Sequence, residues 1–498
     1  MNRDPIPSTE PLYRDLVAGL GADEARVSNK RAQLLLYSRD FSAVLDKGMP
    51  QLLVMPRSVE EVQEILRSAH AHRTPVVPYS AGLGLGTWLP REGGVMVDLR
   101  KMNQLLEVNE ECLYILVEPG LSYAQLSSEL VKRGLVCSIP DAPPAVSVLA
   151  NHTVFGYGSF MQEYGLGPEL VLGVEVVLPG GEVIRTGSAA MAGSSWHSRQ
   201  VFSPLPDLTG LFLGACGTLG IITKAAIRVY PAPENVAYRK FGFKGVQRAA
   251  TAVRELSRAR TVDRVSGFSW FFSREARDTL SDRITGESLT MEQLGALRNE
   301  VSTPEFFFYM GIHGLKRDVD AREKTLIEVA AHHEAIEMEM TADDREKYHS
   351  VVQGKPQALS ELAILGRKGK YEGGYESLVT HAPLSKWSAL YDRWNPIAAA
   401  HGHPLAINTK LFPHGRFSSF RFIISYFNPD DLADRQRITA MKGELEKAAM
   451  AEGVPLAGAP ASVLKQLASY PVYRAVKQAL DPHGIMHPAM GEWAEGGQ

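Results

Sequence analysis

A chain of 498 residues is long enough to form more than one domain around a large buried core. Its 53 basic and 56 acidic residues nearly balance, so no electrostatic footprint for nucleic acid is expected. The three cysteines, Cys112, Cys137 and Cys216, are widely spaced; this excludes a disulfide framework and a thiolate metal cluster, and fits a reducing cytoplasm.

The N-terminal residues MNRDPIPSTEPLYRDL have no apolar signal core, and no later run of about 18 apolar residues suggests a membrane span. A cytoplasmic enzyme is the expectation. Residues 11–47 read as helical. Ser58 with Glu61 forms a capping box, and Val59, Val62, Ile65, Leu66 and Ala69 then share one helix face. A β-rich run, Pro75, Val76, Val77 and Pro78, ends in a loop with glycine at 82, 84 and 86. Alternating glycines let main-chain N–H groups converge on one concavity, which suits an anion such as a pyrophosphate. In a dinucleotide site of the Rossmann type the glycines open a helix. Here Trp88, Pro90, Gly93 and Gly94 follow and no helical period begins, which disfavours that site.

Apolar strands are predicted at 94–99 and 113–118, and a second box, Ser122 with Gln125, opens a helix that stops at Gly134. Residues 135–139 read as an apolar strand and 170–178 as a buried one turning at 179–181. A short helix at 207–215 precedes a strand at 220–230. The sequence Pro-Ala-Pro at 231–233 reads as a boundary. Beyond it, helices are predicted at 246–259, 320–334 and 430–452, and strands at 305–310, 405–412 and 421–427. A terminal helix at 472–480 leads to a turn at 481–488. The middle therefore reads as an α+β unit inserted into the first.

These blocks, in this order, resemble the vanillyl-alcohol oxidase / p-cresol methylhydroxylase family of FAD enzymes. The resemblance rests on Ser58 to Val62, the loop from Pro78 to Gly86, Val97-Asp98-Leu99 with Met102-Asn103, and Val117-Glu118-Pro119-Gly120. It continues through Pro140-Asp141, Tyr164-Gly165, GVEVV at 173–177 with GGEV at 180–183, and GTLGIIT at 217–223, and closes on LDPHGIMHP at 480–488. It implies an α+β fold: a two-part FAD-binding domain with an inserted α+β substrate (cap) domain. The expected divisions are an N-terminal helical segment 1–49, an FAD-binding domain 50–232, a cap domain 233–454 and a returning segment 455–498.

FAD is the cofactor so implied. Its contacts would come from Pro78, Tyr79, Ser80, Ala81, Gly82, Leu83, Gly84 and Leu85, from Pro119 and Pro140, and from Val146, Ser147, Asn151, Gly156, Gly158 and Ser159. Gly217, Gly220, Ile221, Ile222 and Pro488 complete the set. The family's activity is hydride transfer from an aromatic alcohol, 4-alkylphenol or related small substrate to the flavin, with oxygen or an electron-transfer protein as acceptor. A homo-oligomer is expected. A D-2-hydroxy-acid dehydrogenase on the same fold is the alternative, although its metal-binding histidine motif is not found; a catalytically silent flavin-binding subunit of a larger complex is another.

Asp141 matches the family's Pro-Asp position, where a carboxylate near the flavin takes part in oxidation; as a residue it reads equally as a turn former before Ala142, Pro143 and Pro144. Family members often tether the flavin through a histidine or tyrosine near His403, which otherwise reads as a loop histidine. A His-x-His pair, His401 and His403, lacks a third ligand, so no metal site is expected. The family's phenolate-binding tyrosines are not matched: Thr87, Trp88 and Leu89 follow Gly86, and Leu456 to Pro460 replace the later run. Candidates for binding an anionic or phenolic substrate are Arg416 and Arg421, Lys410, and a basic loop with Arg367, Lys368, Lys370 and Tyr371; of these Arg416 and Tyr371 are carried forward as catalytic candidates beside Asp141.

Overall fold

The computed structural model of the chain describes residues 9–21, 25–38, 48–82, 93–140, 142–154, 156–200, 206–272, 304–354, 376–424, 427–428, 430–457 and 470–487, with 292, 295, 296 and 299. The first helix, Glu10–Leu20, ends because Gly21 adopts a left-handed backbone, φ 53°. Residues 11–47 are thus not one helical run. Val27–Ser28 (β1) instead pairs with Leu52–Val54 (β2), with Val27 buried.

Val76–Tyr79 (β3) and Val95–Asp98 (β4) complete a four-stranded sheet in the order β1-β2-β4-β3, its last three strands parallel. Ser58 caps the helix Val59–Ala71 by accepting from the Glu61 N–H, and the predicted face of Val62, Ile65, Leu66 and Ala69 is buried against this sheet. Leu105–Asn109 (β5) and Tyr114–Val117 (β6) begin a second sheet. The Ser122–Gln125 capping box is present and opens the helix Tyr123–Val131. Leu135–Val136 (β7) follows, then Val171–Val177 (β8), Val183–Arg185 (β9), Ile221–Arg228 (β10) and Tyr230–Pro231 (β11). The second sheet is antiparallel, in the order β5-β6-β10-β8-β9, and β11 pairs with β7.

A third, eight-stranded antiparallel sheet is built from Asn235–Phe243 (β12), Arg264–Ser269 (β13), Phe306–Gly314 (β14), Ile336–Met338 (β15), Glu376–Ala382 (β16), Ile407–Leu411 (β17), Ser418–Ile424 (β18) and Leu456–Ala457 (β19). Its order is β15-β12-β14-β13-β17-β18-β16-β19. One face carries Phe306, Phe308, Phe420 and Phe422 into a large core with residues of the helices Val246–Arg258, Lys316–His332, Trp387–Ala400 and Leu432–Ala451. Strand alternation sends the intervening residues to the other face.

The chain then returns. Tyr473, Val476 and Leu480 of the helix Pro471–Leu480 lie against the core of the second sheet, and Ile485 and Met486 enter the core of the first. The result is a two-part α+β architecture with the third sheet inserted between the strands of the first part and its C-terminal return.

Candidate active site

Three segments far apart in sequence meet along β3. Met486 bridges Val76, with the Val76 N–H donating to Ile485 O and the His487 N–H to Val76 O, both at 2.7 Å. Gly217 lies directly on Pro78: a Cβ there would stand 2.3 Å from Pro78 Cγ, and its φ is +78°. Only a glycine permits that approach. Lys477 ties the second and third segments together, its Nζ donating to Thr218 O at 2.7 Å and to Met486 O at 3.0 Å, and pairing with the buried Asp481 carboxylate. That carboxylate also accepts from the Ile485 and Met486 N–H groups. The Tyr473 hydroxyl reaches Thr218 Oγ1.

Gly82, at φ +70°, follows β3 with the Tyr79 hydroxyl folded beneath it: a Cβ at Gly82 would fall 1.9 Å from that oxygen. Elsewhere in the first part, the Ser147 hydroxyl donates to Pro119 O at 2.6 Å and the Val148 N–H to Leu121 O. Residues 138–140 run against 156–159, where the Ser159 N–H donates to Ile139 O at 2.7 Å. Gly156 and Gly158 are both clamped, since a Cβ would meet Gly167 N at 2.3 Å and Ser138 Oγ at 2.1 Å. The segments around 76–82, 217–222 and 485–487 therefore form a main-chain cradle with room for no extra side chain. Glycines at such a place let main-chain N–H groups approach an extended diphosphate nucleotide without Cβ obstruction.

The polar face of the third sheet is ordered by register. Lys240, Tyr309, Ser266, Lys410, Ser419 and His381 form one row across β12, β14, β13, β17, β18 and β16. Phe307, Phe268, Asn408, Arg421 and Val379 form the next. Lys240 is buried 5.1 Å from the Phe307 ring and 5.0 Å from Tyr309, and Arg264 lies 4.8 Å from the Tyr348 ring. Among the contacts that join this sheet and its loops to the first part, three polar ones come from residues 157–163. Tyr157 Oη lies 2.8 Å from His381 Nε2, Gln162 Nε2 donates to Val262 O at 2.9 Å, and Glu163 pairs with His313 Nε2 at 2.9 Å. Burial holds His381 neutral by lowering its pKa, and pushes the Tyr157 phenol upward against the opposing charge of Arg421.

Of the predicted cofactor contacts, Pro78, Tyr79, Ser80, Ala81 and Gly82, with Gly217, Gly220, Ile221 and Ile222, fall at or beside the cradle. Pro119, Pro140, Val146, Ser147, Asn151, Gly156, Gly158 and Ser159 lie along the adjoining strips. Leu83, Gly84, Leu85, Asp141, Tyr371 and Pro488 lie outside the described residues. Arg416 is exposed in the turn between β17 and β18, its Nε donating to Pro413 O. His403 is not brought to the polar face: it is wholly buried, its ring edge-on to Phe422 of the helix-covered core and its Nδ1 2.7 Å from Pro404 O. Tyr157 and His381 escaped the sequence reading. The only local signal was an aromatic between two clamped glycines. Among the described residues no group of three or more His, Cys, Asp or Glu is placed to hold a metal ion.

Residues 50–187 match the family described as FAD binding domain. The fold is similar over 96% of this chain to p-cresol methylhydroxylase with substrate bound, TM-score 0.85 at 22% identity, covering 96% of that chain. The chain has the p-cresol methylhydroxylase fold and carries an FAD-binding domain. A 4-ethylphenol oxidase from Gulosibacter chungangensis, in complex with isoeugenol, is similar at TM-score 0.84 and 22% identity, over 97% of this chain and 98% of that one. In sequence, the chain is 30% identical over 256 residues to a glycolate oxidase subunit, GlcD, of Bacillus subtilis, which is 51% of this chain and 52% of that one. It is 36% identical over 212 residues to a probable mitochondrial D-lactate dehydrogenase of Danio rerio, 42% of this chain and 41% of that one. The chain thus spans about half or less of these two relatives. The FAD-binding domain and the α+β fold expected from the sequence are both found, and the fold is shared with p-cresol methylhydroxylase. No helix among the described residues is long and apolar enough to cross a membrane.

Proposed function

We propose that this chain is an FAD-dependent oxidoreductase that takes a hydride from a small organic substrate held between the cradle and the polar face of the third sheet. The observation that carries the reading is the convergence of 76–82, 217–222 and 485–487, locked by Lys477 and by the Gly217–Pro78 contact. Main-chain groups of Ser80, Ala81 and Gly82 would hold the diphosphate, and the strips at 146–159 the flavin end. Bound FAD would supply the two-electron acceptance that no side chain offers. The chain's own residues bind, orient and exclude water. The proposed divisions are 50–232 with 455–498 as the FAD-binding part and 233–454 as the cap.

By likeness of fold, the substrate is an aromatic alcohol or 4-alkylphenol, and reoxidation falls to oxygen or an electron-transfer protein. Likeness of sequence to a glycolate oxidase subunit and to D-lactate dehydrogenases favours a second reading, a 2-hydroxy acid. One experiment separates them. The purified protein should be yellow, with about one FAD per chain, and should bleach without oxygen on adding 4-ethylphenol or vanillyl alcohol. Bleaching only by D-lactate or glycolate would select the second reading. A colourless protein that takes up no FAD would overturn both.

A further inference from the structure

Under the loop that follows β3 lies a group of side chains that the cradle itself does not use. Tyr79 is paired with Asp98 across β3 and β4, and it packs with Tyr37, Val77 and Met96 on the sheet face opposite the helix Val59–Ala71. Asp98 is wholly buried. Its carboxylate accepts from the Tyr37 hydroxyl at 2.7 Å, from the Arg100 main-chain N–H at 3.0 Å and from the Arg100 guanidinium at 2.6 Å. The guanidinium, fixed at that edge, lies 5.4 Å from the Tyr79 ring centre and 6.0 Å from that of Tyr37, and the two rings meet edge-on at 4.9 Å. The turn that carries Arg100 is held as well: the Gly120 N–H donates to Met102 O at 2.7 Å, and a Cβ at Gly120 would stand 2.8 Å from Arg100 O. The Tyr79 ring is therefore gripped on a rigid base, with its hydroxyl where a side chain at Gly82 would begin. Burial raises the pKa of that phenol against the pull of Arg100, so the hydroxyl keeps its proton.

Gly82 turns at φ +70°, and glycine loses more conformational freedom on ordering than any other residue. Ordering such a loop at the moment of binding opposes affinity, and fixing it beforehand removes that opposition. We infer that Tyr79 is a positioning residue for the cofactor loop: its hydroxyl sets the Gly82 backbone from below, and Arg100, anchored on Asp98 and Tyr37, holds Tyr79 in place. Tyr79 acts through Gly82 rather than by touching the nucleotide. Arg100 and Tyr37, outside the predicted cofactor contacts, thereby become part of what retains FAD. The place of this support beneath a diphosphate rests on the proposed function.

The test uses the FAD-loaded protein and takes two readings: the rate at which the diluted protein releases fluorescent FAD, and the phosphorus NMR resonances of the bound diphosphate. Tyr79→Phe keeps the ring and removes only the hydroxyl. It is expected to release FAD roughly fivefold faster and to shift at least one diphosphate resonance, with the flavin absorption bands in place. Arg100→Lys keeps the charge but loses the flat stack and the forked bond to Asp98, and is expected to move both readings the same way. Melting temperature is read on each variant, so that a misfolded one is recognised and the other decides. Diphosphate resonances left in place, or release no faster than in the wild type, in the folded variants would overturn the role of Tyr79. Faster release that merely follows a lower melting temperature, with the resonances unmoved, would overturn it too. A wild-type protein that takes up no FAD would instead sink the proposed function, and the outcomes are distinct.

Discussion

At the scale of single residues, two glycines separate backbone strain from close approach. Gly21 ends the first helix at φ 53° with open space where a Cβ would point, whereas Gly217, at φ +78°, would place a Cβ 2.3 Å from the rigid Pro78 ring. Gly21→Ala carries only the left-handed penalty, about 1 kcal/mol. Gly217→Ala adds a clash that neither backbone can relieve without opening the cradle, so a loss above about 2 kcal/mol is expected. Urea melts should rank the two in that order, and only Gly217→Ala should shed FAD on gel filtration. Equal losses, with FAD retained in both, would remove Gly217 from the cradle. Lys477 offers a second contrast. Burial lowers its pKa, with Asp481 opposing the shift, and Lys477→Met would leave the Asp481 carboxylate buried without its cation. The expected cost is about 3 kcal/mol, and Lys477→Met/Asp481→Asn should recover part of it. A double variant no better than the single one would mean that the pair contributes little.

At the scale of elements, the short helix Met161–Tyr164 docks on the third sheet through an ion pair that responds to pH. His313 on β14 faces Glu163 at 2.9 Å and Asp263 at 3.6 Å, and Arg322 pairs with the same Asp263. Burial opposes charge on the ring, but Glu163 and Asp263 outweigh it and the pKa rises above the ordinary 6.5. A raised folded value means that the added stability is complete below 6.5 and is lost as pH climbs through the folded value. As pH climbs from about 6.5 through the folded value, the wild-type protein should therefore lose stability that His313→Gln never had. Parallel pH dependences in the two proteins would discard the link. Much of this level was legible in the sequence. The Ser58 and Ser122 caps, the helix at 246–258 and the buried strand 171–177 are dictated by local pattern. What escaped is non-local. Residues 11–47 hide β1, whose pairing with β2 no local pattern announces, and the row from Lys240 to His381 arises from the register of six strands. Tyr157 and His381 become neighbours only once both parts are folded.

At the scale of the whole molecule, the two sides of the third sheet set what can reach a bound flavin. One side is sealed by four helices and carries Phe306, Phe308, Phe420 and Phe422; the other bears Arg421 and His381 and meets the first part through Tyr157, Gln162 and Glu163. His403 belongs to the sealed side. Its imidazole is fully buried, its pKa pushed down to about 3 by burial, and its ring lies edge-on to Phe422. A covalent bond from this ring to a flavin on the polar side would require the turn at 401–406 to leave the core it packs in and break the His403 N–H bond to Ala398 O. The Ile423 N–H bond to Ala406 O, with the pairing of β17 to both β13 and β18 directly after the turn, opposes that movement. His403 is therefore expected to form no link. Acid precipitation of the yellow protein should leave all of the chromophore in the supernatant, and His403→Ala should show the same partition with a lower melting temperature. Chromophore that pellets with the wild-type chain but not with His403→Ala would mean that this histidine reaches the flavin after all, and that the two faces of the sheet are assigned the wrong way round.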